Sequence, residues 1–83
     1  MEFRVYVIVE MPILDKKFEL LVPIDRRIHD LISVLKKAIP ELSEDFYERR
    51  EPVILSKTTG DVYDLNVVIK NTNIKNGTRL ILI

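Results

Sequence analysis

The sequence predicts an α+β domain in which one amphipathic helix covers one face of a mixed sheet of four to five strands. Three observations predict it: two stretches of two-residue alternation at the start of the chain, one apolar stripe at helical spacing after them, and a return to short apolar runs before the end. With helices absent from its second face, such a sheet leaves that face open.

Phe3, Val5, Val7 and Val9 alternate with Arg4, Tyr6, Ile8 and Glu10, the period of a strand with one face on a core. Met11-Pro12 is expected to interrupt this strand, since proline removes a ladder donor, and Asp15-Lys16-Lys17 reads as a polar turn. Alternation resumes through Phe18, Leu20, Val22 and Ile24, so the two strands form a hairpin. Asp25, just after Pro23, has the chemistry of a helix N-cap, and a helix is expected from there. Ile28, Leu31, Ile32, Leu35 and Ile39 make its apolar stripe, Lys36 and Lys37 favour the negative end of its dipole, and Pro40 stops it.

The acidic segment 41–51 reads as a solvated connection anchored by Phe46 and Tyr47. Val53-Ile54-Leu55 is a short strand, Thr59-Gly60-Asp61 a turn into Val62-Tyr63, and 65–74 an irregular stretch. Gly77 supplies a turn where positive φ is easy, before the last strand, Arg79 to Ile83. The whole, residues 1–83, reads as one domain.

The bulk numbers exclude more than they identify. Forty-seven per cent hydrophobic and 31% charged residues suit a chain that folds on its own. Thirteen basic residues balance 13 acidic ones, and the Lys and Arg pairs are spread out, so no nucleic-acid partner is expected. Without cysteine there is neither a disulfide nor a thiolate metal site. No run approaches the ~20 apolar residues of a membrane span, so direct insertion is not expected. The first residues carry no basic leader, and a cytoplasmic location is expected.

Catalytic chemistry finds few candidates. The single histidine, His29, adjoins Asp30, but neighbouring helix positions diverge by about 100°, so the two do not form an evident dyad. Thr58-Thr59-Gly60 is too short and too poor in glycine to cradle a phosphate. No enzyme activity, metal or cofactor is expected.

Leu21 to Ile32, taken with Thr72 to Leu82, resembles the ubiquitin-like β-grasp superfamily: the first piece resembles the entry to the helix, the second the short turn that positions Ile74 before the last core strand. Within that superfamily the likeness is nearest to the YukD/EsaB type, small accessory proteins of bacterial type VII secretion loci. The resemblance implies a non-catalytic protein-binding module, acting on a secretion-machine component at the cytoplasmic face of the membrane. A ubiquitin-like modifier or sulfur carrier is the alternative, disfavoured because the only glycines are Gly60 and Gly77 and no Gly-Gly tail follows Ile83. A generic scaffold domain is a third reading.

If Phe3, Val5, Val7, Phe18, Leu20, Val22, Val53, Leu55, Leu80 and Leu82 face the helix, alternation sends Arg4, Tyr6, Ile8, Ile54, Ile81 and Ile83 outward. Ile8, Ile54 and Ile83 are the leading contact candidates, by likeness to the patch ubiquitin uses, with Tyr6, Ile81 and Arg4 around them. The occupant is expected to be another protein or, as a homodimer, a second copy. The helix surface with Arg26, His29, Asp30, Ser33 and Lys37 reads as solvated.

Overall fold

The structure is a computed structural model, and it describes residues 3–38 and 52–83. The readings of Ile39, Pro40 and the segment around Phe46 and Tyr47 lie outside the described residues. Strand β1 runs Arg4–Met11 and β2 Lys16–Pro23, joined by a 3-10 turn at Pro12–Leu14. Helix α1 spans Ile28–Ala38, β3 Ile54–Ser56 and β4 Thr78–Leu82, with a second 3-10 turn at Ile69–Asn71. The sheet order is β2-β1-β4-β3; the central pair, β1 with β4, is parallel, and both outer pairs are antiparallel.

The inner face of the sheet follows from alternation. Val7, Val9 and Met11 of β1, Leu80 and Leu82 of β4, Val22 of β2 and Ile54 of β3 form one buried cluster with Ile28, Leu31, Ile32 and Leu35 of the helix. Three expectations are corrected. Met11 does not break the strand: β1 runs through it and its side chain is fully buried, because Pro12 falls one residue beyond, in the loop. Phe3 is 63% exposed; it precedes Arg4, the first residue of β1. Val53 and Leu55 do not face the core; Ile54 between them does.

The helix begins at Ile28, three residues after the expected cap. Its unpaired first amides are met by a distant stretch of backbone: Ile28 N–H donates to Val67 O and His29 N–H to Leu65 O, both at 3.0 Å. In return Ile69 N–H donates to Arg26 O and Lys70 N–H to Ile24 O, both at 2.8 Å. Asp30 adds the one local contribution, its Oδ2 accepting from Arg27 N–H at 3.0 Å, as a residue in the first turn does in a capping box. Asp25, in the turn before, lies 4.0 Å from its neighbour Arg26 instead.

The turn before β4 ties the last strand to the first. Gly77 N–H donates to Tyr6 O at 2.8 Å, and Tyr6 N–H donates to Asn76 Oδ1 at 2.8 Å. Gly77 has φ +87°, and a Cβ there would meet nothing within 4 Å. Gly77→Ala is therefore expected to be destabilising through backbone conformation alone, by about 1–2 kcal/mol. A thermal melt should register this as a midpoint lowered by roughly 4–16 °C.

Candidate docking face

The helix occupies one side of the sheet, so the strand residues of opposite parity make the other side. The register sets them in rows: Glu19, Ile8 and Arg79 lie side by side across β2, β1 and β4, and Lys17, Glu10, Ile81 and Leu55 across all four strands. Leu21 stands opposite Tyr6 at one end. At the other end Val53 and Ile83 exchange both backbone bonds at 2.9 Å, which pins Ile83 to the sheet. Val62 extends the second row through a bridge to Leu55.

Five of the six candidates from the sequence lie on this face. Arg4 is exposed; Tyr6, Ile8 and Ile81 are half-buried by their neighbours; Ile83 is 42% exposed. Ile54 is the correction: its side chain is wholly buried beneath the helix, and Leu55 holds the outward position. Three consecutive apolar residues carry no parity of their own, so Val53-Ile54-Leu55 permits either register. Lys57 was the available signal. Its ammonium has to reach solvent, and Val53 and Leu55 share its face. Leu21 and Val62, 62% and 64% exposed, are further members beyond those six.

A charge cluster sits in the middle of the apolar surface. Glu10 Oε1 accepts from Lys57 Nζ at 2.7 Å and lies 3.8 Å from Lys17 Nζ. The hydrogen bond from Lys57 is the first cause holding this carboxyl below its ordinary value of 4.5; the charges of Lys57, Lys17 and Arg79 add to it against the opposing cost of desolvation. A carboxyl depressed in the folded state stabilises the fold above its unfolded pKa, and this contribution is lost as pH falls through the folded value. Glu10→Gln is therefore expected to lower the melting temperature slightly at pH 7, with the difference from the unmodified protein closing as pH drops below 4.5. Melts at several pH values check this; a difference that widened in acid would be the wrong sign.

Tyr6 is perturbed the other way. Its phenol is pushed up, first by desolvation and then by its hydrogen bond to Glu19. On the helix side, His29 is exposed and Asp30 spends an oxygen on Arg27 N–H, so the pair is not built as a dyad. Among the described residues no group of three or more His, Asp or Glu gathers as metal ligands would, and no helix is long and apolar enough to cross a membrane.

No protein-family model and no curated protein matches the sequence. Solved structures do match in fold. A chain of the toluene 4-monooxygenase HD complex with the inhibitor 4-bromobenzoate superposes with a TM-score of 0.77 at 5% identity, over 96% of this chain and 96% of that one. A ubiquitin-like domain of an Arabidopsis thaliana protein gives 0.70 at 15% identity, over 96% of this chain and 76% of that one. A chain of an ESX-5 inner membrane complex gives 0.66 at 17% identity, over 95% of this chain but only 20% of that much longer one. At such identities the likeness concerns the fold alone. With helix α1 on a mixed four-stranded sheet among the described residues, this chain has the ubiquitin-like β-grasp fold.

Proposed function

We propose that this chain is a non-catalytic ubiquitin-like module that binds another protein through the outer face of its sheet, as an accessory or regulatory component of a type VII secretion system on the cytoplasmic side of the membrane. The observation that carries the reading is the apolar surface of Leu55, Ile81, Val53 and Ile83, which the strand pairing sets together on the face away from the helix, with Ile8 one row off beside Arg79. A contiguous exposed apolar patch of several hundred square ångströms (order of magnitude) marks an interaction site more often than scattered apolar residues do.

Charge gives the partner a chemistry. Among the described residues, Arg4, Lys17, Lys57 and Arg79 share this face with Glu10 and Glu19, so an apolar surface with an acidic rim fits it. The secretion context is supported by the resemblance of Leu21 to Ile32 and Thr72 to Leu82 to YukD/EsaB-type proteins. A fold match to part of a chain in an ESX-5 inner membrane complex is in keeping with it.

The test is affinity capture from cytoplasm and solubilised membranes with the unmodified chain and a Leu55→Glu, Ile81→Glu variant verified as folded. Capture of a secretion-machine component, reduced at least tenfold by the variant, is the expected result. Undiminished capture by the variant would remove the outer face from the reading, and recovery of no such component would remove the secretion role.

A further inference from the structure

The two edges of the sheet are finished differently. Outside β3, Ser56 N–H donates to Asp61 O and Tyr63 N–H to Ile54 O, both at 2.9 Å, so the 61–63 segment closes that edge. At the other edge β2 pairs with β1, and no other described strand lies beside it. In an antiparallel ladder alternate residues turn their amide and carbonyl toward the partner or away from it. Ile24 N–H donates to Phe3 O, which sets the phase: Val22, Leu20 and Phe18 bond inward to β1, whereas Leu21, Glu19 and Lys17 point their backbone groups outward. Open among the described residues, an edge of this kind is a template for another strand.

The side chains along the edge say which strand. Lys17 and Lys57 share one oxygen of Glu10, two cations on one anion, so the row across the sheet ends at β2 with a positive charge in excess. Glu19, two residues along on the same face, has Ile8 opposite it in β1. When β2 meets a copy of itself about a two-fold axis, the bonded pairs come from the outward set. One register sets Glu19 against Glu19, and another sets Lys17 against Pro23, which has no amide to give. Of all the registers that pair outward residues, the one that sets Lys17 of each copy against Glu19 of the other is the one that makes opposite-charge pairs, two of them, together with four backbone hydrogen bonds. Each row then alternates in sign from Lys57 through Glu10 and Lys17 to Glu19 of the second copy, and on the helix side the half-buried Phe18 meets its counterpart at the axis.

We propose that the chain self-associates through the open edge of β2, antiparallel about a two-fold axis, with Lys17 of each copy opposite Glu19 of the other. The pairing makes one eight-stranded sheet of the described strands and leaves the apolar outer faces of both copies uncovered, although it engages Lys17 and Glu19 at the border of that face.

Sedimentation equilibrium over roughly 10 μM to 1 mM, the range suited to a small interface, should show the mass rising from 9.7 kDa toward twice that value. Lys17→Glu and Glu19→Lys, both at exposed positions, should each weaken association about tenfold by setting like charges opposite one another. The double variant should return to within about threefold of the unmodified chain, because the pairs are restored with their signs exchanged. Leu55→Glu should leave the dimer intact, which separates this result from the outer-face reading. A mass fixed at 9.7 kDa across the range, or a dimer indifferent to both single reversals, overturns the proposal.

Discussion

Ile54→Glu abolishes the cooperative unfolding transition, whereas Leu55→Glu, one residue along, leaves a folded domain that melts within about 10 °C of the unmodified protein. The contrast follows from the parity of β3. Ile54 is wholly buried among Leu82 and the helix residues of the core. A carboxylate placed there loses the apolar contacts of isoleucine and finds no cation among the described core residues. Removing the isoleucine side chain alone costs about 2–5 kcal/mol, and an unpaired buried charge adds several more. A domain of this size holds only about 4–12 kcal/mol in total, so the sum reaches the whole of its stability. At Leu55 the substitution is solvated and sits on the same face as Lys57. Its loss is confined to the contacts with Ile81 and Val62, about 1 kcal/mol. Circular dichroism melts of the two variants decide it, and a folded Ile54→Glu protein would mean that β3 lies in the opposite register.

The second large effect is expected at Ile69, 69 being a position with no strand or helix of normal length around it. Its side chain is 1% exposed, and its backbone belongs to the clamp joining the entry of the helix to residues 65–70. Ile69→Ala should cost about 2–4 kcal/mol, seen as a fall of roughly 8–32 °C in the melting temperature. The cost should also be localised. Amide hydrogen exchange at Ile28 and His29, whose acceptors are Val67 O and Leu65 O, should accelerate more than exchange in β1 and β4. An equal acceleration everywhere would mean that Ile69 merely fills volume.

These two sites also mark what the sequence made legible. The hairpin and the helix stripe were readable because their apolar residues recur at one period over eight or more positions, and a pattern of that length has only one consistent face. β3 has three residues, all but the last apolar, and its face is decided by pairing with β4 rather than by its own pattern. The start of the helix was misplaced for a related reason. Asp25 is a sound local capping signal, but the acceptors that close the first turn come from carbonyls about 40 residues further along the chain, and no local pattern announces them. The candidate face inherits both properties: its β1 and β4 members followed from alternation, while Leu55 and Val62 needed the pairing of strands.

The parallel pairing of β1 with β4 has a consequence for the chain as it is made. Val7 lies beside Thr78, so the central ladder of the sheet joins segments 71 residues apart. From the end of β2 at Pro23 to the end of β4 at Leu82, synthesis at roughly 5–20 residues per second leaves the β1–β2 hairpin waiting about 3–12 s before its permanent neighbour is available. Throughout that interval the inner side of β1, with Val7, Val9 and Met11, has no β4 beside it and an incomplete core above it. The nascent chain is therefore most vulnerable to aggregation, and most in need of a holding chaperone, before β4 leaves the ribosome.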